Sequence, residues 1–171
     1  MAVYAGRLYV LGGFNGSAKA AVYSADLSTA GSVARWNTEA SLPAARFKLA
    51  AAASAGWLYA FGGDNGAVSQ KTVYRAPLAA DGRVGAWGTS TELPGARNSH
   101  AAAVAGGRVY VAGGLGAGVA GEVWSATLSG PTVGTWRTET PLAVPVFRLR
   151  AENHREIRAT ACSCRLRATP R

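Results

Sequence analysis

Three copies of one pattern constrain the fold of this 171-residue chain more than any other feature of its sequence. Each copy has a turn glycine, an alternating apolar run around a tyrosine, and then two adjacent glycines, repeating at intervals of 50 and 51 residues. Alternation with a period of two predicts a half-buried strand, and paired glycines end it where the backbone must bend or approach another segment closely. The glycine pairs are Gly12 and Gly13, Gly62 and Gly63, and Gly113 and Gly114.

Aromatic residues recur at two further positions in each copy. A tyrosine or tryptophan follows each glycine pair by about eleven residues, inside a second strand-like run, and a tryptophan follows after a turn-rich stretch. An alanine-rich run precedes the turn glycine in the second and third copies, so each unit is predicted to have four short strands. The recurring aromatic residues are Tyr23, Tyr74 and Trp124 at the first position and Trp36, Trp87 and Trp136 at the second.

Four-stranded units of this length and pattern resemble the kelch repeat of β-propellers, as in galactose oxidase-like and bacterial secreted or surface proteins. The resemblance covers residues 1–146 and implies an all-β fold of about three kelch blades in an incomplete β-propeller, at approximately 1–47, 48–97 and 98–146. The recurring aromatic residues are then expected to pack between blades, because one active site would not need the same ring in every unit. Residues 147–171 show no alternation and are predicted to form an irregular basic tail that is disordered or out of frame.

Charge and hydropathy argue against two classes of partner. The formal net charge is +9, but residues 147–171 hold +5 of it, and the scattered charges of the repeats do not predict nucleic-acid binding. The most continuous apolar run, 49–61, is too short for a membrane helix, and the N-terminus has strand character without a signal peptide. An extracellular or cell-surface location is implied by the resemblance alone.

Few residues have the chemistry of a catalytic or metal site. Cys162, Cys164 and His154 lie in the tail, and their spacing is a weak metal pattern, so we predict no metal and no other cofactor. The repeats hold one histidine, His100, for which a structural hydrogen bond is favoured over catalysis. We therefore predict no catalytic residue.

Antiparallel connectivity places the loops after the second and fourth strands of each unit on one face, where we expect any ligand site. Arg46 and Arg97 recur at equivalent positions, which suits either an anionic ligand near the axis or hydrogen bonds that support the loops. Asp64 is expected to cap its turn. The residues assigned to a ligand-binding face are Asn15, Arg46, Asp64, Asn65, Arg97 and His100.

The pattern favours a kelch-type module that binds a protein or a carbohydrate, as a fragment of a larger protein. The alternative is part of a carbohydrate-active propeller enzyme, of the oxidase or sugar epimerase type, whose catalytic residues lie outside this chain. Because propellers have about four to eight blades, three blades imply either a fragment or a homodimer that completes a six-bladed ring.

Overall fold

A computed structural model describes residues 1–33 and 35–148, and all of its regular secondary structure is β-strand. Thirteen strands form three antiparallel sheets, which we call blades 1 to 3 in chain order. The predicted all-β fold of about three blades in an incomplete propeller is confirmed for these residues. The predicted tail, apart from Phe147 and Arg148, lies outside the described residues.

Blades 1 and 2 each contain four strands in consecutive order across the sheet. Blade 1 consists of β1 (Ala2–Tyr4), β2 (Arg7–Leu11), β3 (Val22–Asp26) and β4 (Asn37–Thr38). Blade 2 consists of β5 (Ala50–Ser54), β6 (Trp57–Phe61), β7 (Val73–Pro77) and β8 (Gly88–Ser90).

Blade 3 differs at its outer edge, where two strands pair with β11 instead of one. The stretch from Leu128 to Trp136 is one residue shorter than its counterparts, and Leu128 and Val133 begin a short hairpin there. In blades 1 and 2 the same hairpin is reduced to a single bridge. Blade 3 consists of β9 (Ala101–Ala105), β10 (Arg108–Ala112), β11 (Val123–Ser129), β12 (Thr132–Val133) and β13 (Arg137–Glu139).

A tight two-residue turn sets the register between the two inner strands of each blade. In blade 2 the turn is Ala55 and Gly56, with φ values of 48° and 76°. Two successive positive φ values define the mirror-image turn that matches the twist of a β-hairpin. The register is the same in all three blades, with Ala2 opposite Tyr9, Ala52 opposite Tyr59, and Ala103 opposite Tyr110.

The paired glycines lie where the strand ends against a neighbouring loop. Gly62 and Gly63 have φ values of 54° and 93°, and a Cβ on Gly62 would lie 2.4 Å from the carbonyl oxygen of Arg97. Gly63 N–H donates to that same oxygen at 2.8 Å. The backbone conformation and the close approach both require glycine here.

The three blades lie side by side, with β1 next to β5 and β5 next to β9. Their cores lie between blades, because each sheet packs an apolar side against the next. Tyr9, Leu11 and Val22 of blade 1 pack with Leu58 and Tyr74 of blade 2. Blade 2 packs against blade 3 through a second cluster that contains Tyr59, Phe61, Val73, Val109, Val111 and Trp124.

Three of the recurring aromatic side chains are exposed instead of buried. Tyr23 and Trp36 lie on the side of blade 1 away from blade 2, and Tyr110 lies on the side of blade 3 away from blade 2. Their counterparts Tyr74 and Tyr59 are buried by a neighbouring blade. The expected packing between blades therefore applies only where the described chain supplies a neighbour.

Candidate binding face

One face of the arc carries two loops from each blade, and we call it the loop face. Its loops comprise residues 12–21, 39–49, 62–72, 91–100, 113–122 and 140–148. Backbone hydrogen bonds join neighbouring loops: Phe47 N–H donates to Asp64 O at 2.9 Å, and Asp64 N–H to Phe47 O at 2.8 Å. Asn98 and Leu115 form the equivalent pair between blades 2 and 3. The loops thus present their side chains from a hydrogen-bonded framework, as binding loops on rigid scaffolds do.

Two of the short polar residues predicted for this face, Asp64 and Asn65, hold one of its loops in shape. Asp64 Oδ1 accepts from Gly66 N–H at 2.8 Å, the turn-capping role expected of it. Asn65 Oδ1 accepts from Val68 N–H at 2.9 Å, while the residue as a whole is exposed. Asn15 is also exposed on its loop.

Arg46 and Arg97 lie beneath the loop face, each stacked on an aromatic ring of the following blade. The guanidinium carbon of Arg46 is 5.5 Å from the ring centre of Tyr74, and that of Arg97 is 4.3 Å from the ring centre of Trp124. Both arginines are buried. Such stacking contributes about 1 kcal/mol or more when the cation is partly desolvated.

The remaining contacts of these arginines are with acceptors in the protein. Arg46 Nη1 donates to Ala45 O at 2.9 Å, and Arg97 Nη1 donates to Glu122 Oε2 at 3.1 Å. The pKa of Glu122 is lowered first by a hydrogen bond from its own backbone N–H, and then by the hydrogen bond and the positive charge of Arg97. The two guanidinium groups thereby join neighbouring blades, which leaves little of either one for a ligand on the surface.

His100 is buried next to the start of β9, away from solvent. Burial lowers its pKa to about 4, and the positive charge of Arg97 acts in the same direction. Neither ring nitrogen has hydrogen-bond geometry with a partner in the part of the chain that the structure describes. The ring is therefore neutral at physiological pH and does not reach the loop surface.

An exposed aromatic pair on the loop face escaped the sequence analysis. The rings of Phe14 and Phe47 lie 4.9 Å apart at 42°, and Lys48 Nζ lies 5.0 Å from the ring centre of Phe47. Phe14 is exposed and Phe47 is partly exposed. Neither phenylalanine recurs in all copies of the repeat, so the recurrence that revealed the other aromatic residues gave no signal for them.

Basic side chains lie where the loop face meets the inner strands. Lys48, Ser99 and Arg148 are equivalent residues with positive φ, and they are linked in series. Ser99 N–H donates to Lys48 O at 2.9 Å, and Arg148 N–H donates to Ser99 O at 2.8 Å. Lys48 and Arg148 are exposed, so this inner edge of the face carries positive charge.

The opposite face has a cleft of about 400 Å³ between blades 1 and 2. Arg7 in its wall donates two hydrogen bonds to Asp26, at 2.7 and 3.0 Å. Tyr9 in the same wall donates to Gly82 O at 2.8 Å. Arg7 Nη1 is buried and has no hydrogen-bond partner among the described residues, but the Tyr9 hydroxyl and the other two guanidinium nitrogens are occupied by these bonds, so the cleft is a weaker candidate than the loop face.

Neither a cluster of potential metal ligands nor a membrane-spanning helix occurs within residues 1–33 and 35–148. This part of the chain contains no group of three or more histidine, cysteine or acidic residues able to hold a metal ion. None of it forms a helix with the length and apolar character needed to cross a membrane.

No protein-family model matches the chain, and no curated protein matches it in sequence. The fold itself places the chain among all-β proteins built from propeller-like blades.

Proposed function

We propose that this chain is a non-enzymatic, kelch-type propeller module that binds a protein or carbohydrate ligand through its loop face. The observation that carries the proposal is the contact between the exposed ring of Phe14 and the partly exposed ring of Phe47, set beside the ammonium group of Lys48. Contiguous apolar side chains exposed on a surface mark interaction sites, and loops on a rigid scaffold are the usual place for such a site.

The chemistry of the face favours a protein over a carbohydrate. Exposed apolar side chains occur on its loops in every blade, and aromatic residues are enriched where proteins contact proteins. The exposed cations at the inner edge add a preference for acidic groups on the partner. The exposed apolar residues are Phe14, Val68, Val119, Val144 and Phe147.

The polar residues of the face support binding better than catalysis. A general base must reach the proton it abstracts, whereas the ring of His100 is buried and has a lowered pKa. Arg46 and Arg97 are engaged with aromatic rings and protein acceptors. Recognition in this proposal therefore rests on the phenylalanine pair and Lys48.

The test is a comparison of the unmodified chain with the double variant Phe14→Ser and Lys48→Glu. Each of the two chains is immobilised, and the proteins that it captures are identified by mass spectrometry. The soluble form of each chain is applied to a glycan array. We expect a protein captured by the unmodified chain to be lost by the double variant. Its affinity for the unmodified chain is then measured with both components purified.

Ala80→Glu is the matched control, because it adds a negative charge at an exposed position on the opposite face. Capture should survive this change. Binding that the double variant retains would overturn the assignment of the phenylalanine pair. Binding to glycans alone would assign the face to carbohydrate instead of protein.

A further inference from the structure

The two ends of the three-blade arc expose the surfaces that are buried between blades inside it. The first surface is the side of blade 1 away from blade 2, formed by Val3, Val10, Tyr23, Val33 and Trp36. The last surface is the side of blade 3 away from blade 2, formed by Ala103, Tyr110, Ala112, Val123 and Leu142. Both consist mainly of apolar side chains.

A comparison of equivalent residues shows that these two surfaces lack the neighbouring blade that covers their counterparts inside the arc. Tyr23 is 42% exposed, whereas its counterpart Tyr74 in blade 2 is 7% exposed. On the last surface, Tyr110 is 36% exposed, whereas its counterpart Tyr59 is fully buried. Each internal interface joins a surface of the last type to a surface of the first type, so the two ends are complementary in kind.

A tyrosine hydroxyl crosses each internal interface in the same way. Tyr9 OH donates to Gly82 O at 2.8 Å, and Tyr59 OH donates to Gly130 O. The next members of this series are Tyr110 on the last surface and Gly31 on the first. Gly31 has a φ of 79°, matching the 78° of Gly82, so its carbonyl lies in the same kind of turn.

A tryptophan crosses each interface in the opposite direction. Trp87 Nε1 donates to Ala40 O at 2.8 Å, and Trp136 Nε1 donates to Thr91 O at 3.3 Å. The equivalent donor on the first surface is the indole of Trp36. The equivalent acceptor on the last surface is the carbonyl of Thr140.

Glu139 makes the same hydrogen bond with a serine of its own blade as Glu39, whose carboxylate lies in an internal interface. In blade 1, Glu39 Oε1 accepts from Ser24, and its Oε2 accepts from Val84 N–H of the next blade at 3.0 Å. Glu139 in blade 3 accepts from Ser125 through Oε1 in the same manner. Glu139 Oε2 is equivalent to the Glu39 oxygen that accepts a hydrogen bond from the backbone N–H of the following blade. The backbone N–H equivalent to that of Val84 belongs to Val33, on the first surface.

We propose that a second copy of this chain covers both surfaces, with blade 3 of each copy packed head to tail against blade 1 of the other. The two identical contacts close a six-bladed ring around a twofold axis. Propellers have about four to eight blades, and two is the only number of three-blade chains that falls within that range. A head-to-tail contact either closes into a ring or continues as a filament. The usual number of blades in a propeller favours the closed ring of two chains.

One position of the new interface differs from the internal ones. Arg46 and Arg97 stack on Tyr74 and Trp124, whereas the equivalent residue of blade 3 is Val146. Val146 N–H and carbonyl still hold the loop, since the carbonyl accepts from Gly114 N–H at 2.8 Å. The side chain of Tyr23 would therefore meet an apolar residue, and no arginine is left without an acceptor.

The mass of the unmodified chain in solution decides the proposal on its own. Sedimentation equilibrium is expected to give twice 17.5 kDa, with dissociation on dilution. A monomer at every concentration, or a series of larger species without an end point, would overturn the ring. This measurement does not involve the loop face, so its outcome and that of the ligand-binding test are separate.

Two variants then test the head-to-tail arrangement. Trp36→Arg alters the first surface and Tyr110→Arg alters the last, and each alone is expected to be a monomer. Their circular dichroism spectra and thermal unfolding report whether the variants are folded. Phe14→Arg on the loop face is the control for an added charge at an exposed phenylalanine, and it should remain a dimer.

Mixing the two monomeric variants gives the sharpest result. A head-to-tail pair retains one intact contact, between the last surface of the Trp36→Arg chain and the first surface of the Tyr110→Arg chain. The mixture is therefore expected to contain dimers that neither variant forms alone. If only one of the two substitutions abolishes the dimer, the chains associate through a single kind of surface, and the proposed ring is wrong.

Discussion

At the scale of single residues, His100 combines a titratable ring with almost complete burial, and this makes the stability of the chain depend on pH. Its folded pKa of about 4 lies below the ordinary value of 6.5. As the pH falls below 6.5 the unfolded chain binds a proton that the folded chain does not, so folding loses stability until about pH 4. We expect a loss of up to about 3 kcal/mol across this window, measured by urea unfolding.

His100→Gln is the matched variant for this prediction, since it removes the titrating group. Its free energy of unfolding should change much less between pH 6.5 and pH 4 than that of the unmodified chain. Glu39 acts at lower pH: burial alone would raise its pKa, but hydrogen bonds from Ser24, Val84 and Arg83 outweigh that effect and lower the pKa. Equal pH dependence in both proteins would show that His100 does not carry the effect.

The sequence predicted the roles of some candidate site residues because those roles are local. The turn-capping role of Asp64 follows from the residues beside it, and its bond to Gly66 spans two positions. The stacking of Arg97 on Trp124 depends on how one blade lies against the next, which spacing along the chain does not specify. Phe14 and Phe47 are far apart in sequence and meet only because the loops of the face converge.

At the scale of the strand and its turn, the glycine pair provides a test of close backbone approach. Gly62→Ala combines the strain of a positive φ, about 1–2 kcal/mol, with a Cβ 2.4 Å from the carbonyl of Arg97. We expect a loss of about 3 kcal/mol or more in the free energy of unfolding. Gly106→Ala separates the two causes, because Gly106 has the same φ of 54° but nothing lies within 4 Å of the added atom. If both substitutions destabilise the chain equally, the close approach has no energetic consequence.

The strands were predictable because alternation and paired glycines are local signals repeated three times. The division of the outer edge of blade 3 into β12 and β13 was not predicted. It results from one residue fewer between Leu128 and Val133 than between the equivalent Leu78 and Val84 of blade 2, which leaves a tight turn and lets Ser129 pair with Thr132. The repeat pattern also did not predict that Tyr23 and Tyr110 are exposed. Recurrence identifies a packing position but does not show whether a neighbouring blade occupies it.

At the scale of the whole molecule, substitutions at the three equivalent tyrosines distinguish the stability of the folded chain from the stability of the dimer. Tyr9→Phe and Tyr59→Phe each remove one hydrogen bond between blades of the same chain, so each should lower the free energy of unfolding by about 1 kcal/mol. Tyr110→Phe removes no such bond within residues 1–33 and 35–148, and it should leave the unfolding of the dissociated monomer unchanged. In the proposed ring it removes a bond between chains, so it should instead weaken the dimer.

Urea unfolding at a concentration where the chain is monomeric measures the first effect, and sedimentation across a dilution series measures the second. Because a partner that binds only the folded state raises apparent stability by mass action, the melting temperature of the unmodified chain should also rise with its own concentration. Tyr110→Phe should reduce that rise, whereas Tyr59→Phe should lower the melting temperature at every concentration. If Tyr110→Phe instead behaves like Tyr59→Phe in the dilute monomer, then Tyr110 is bonded within its own chain, and the surface proposed for a second copy is already occupied.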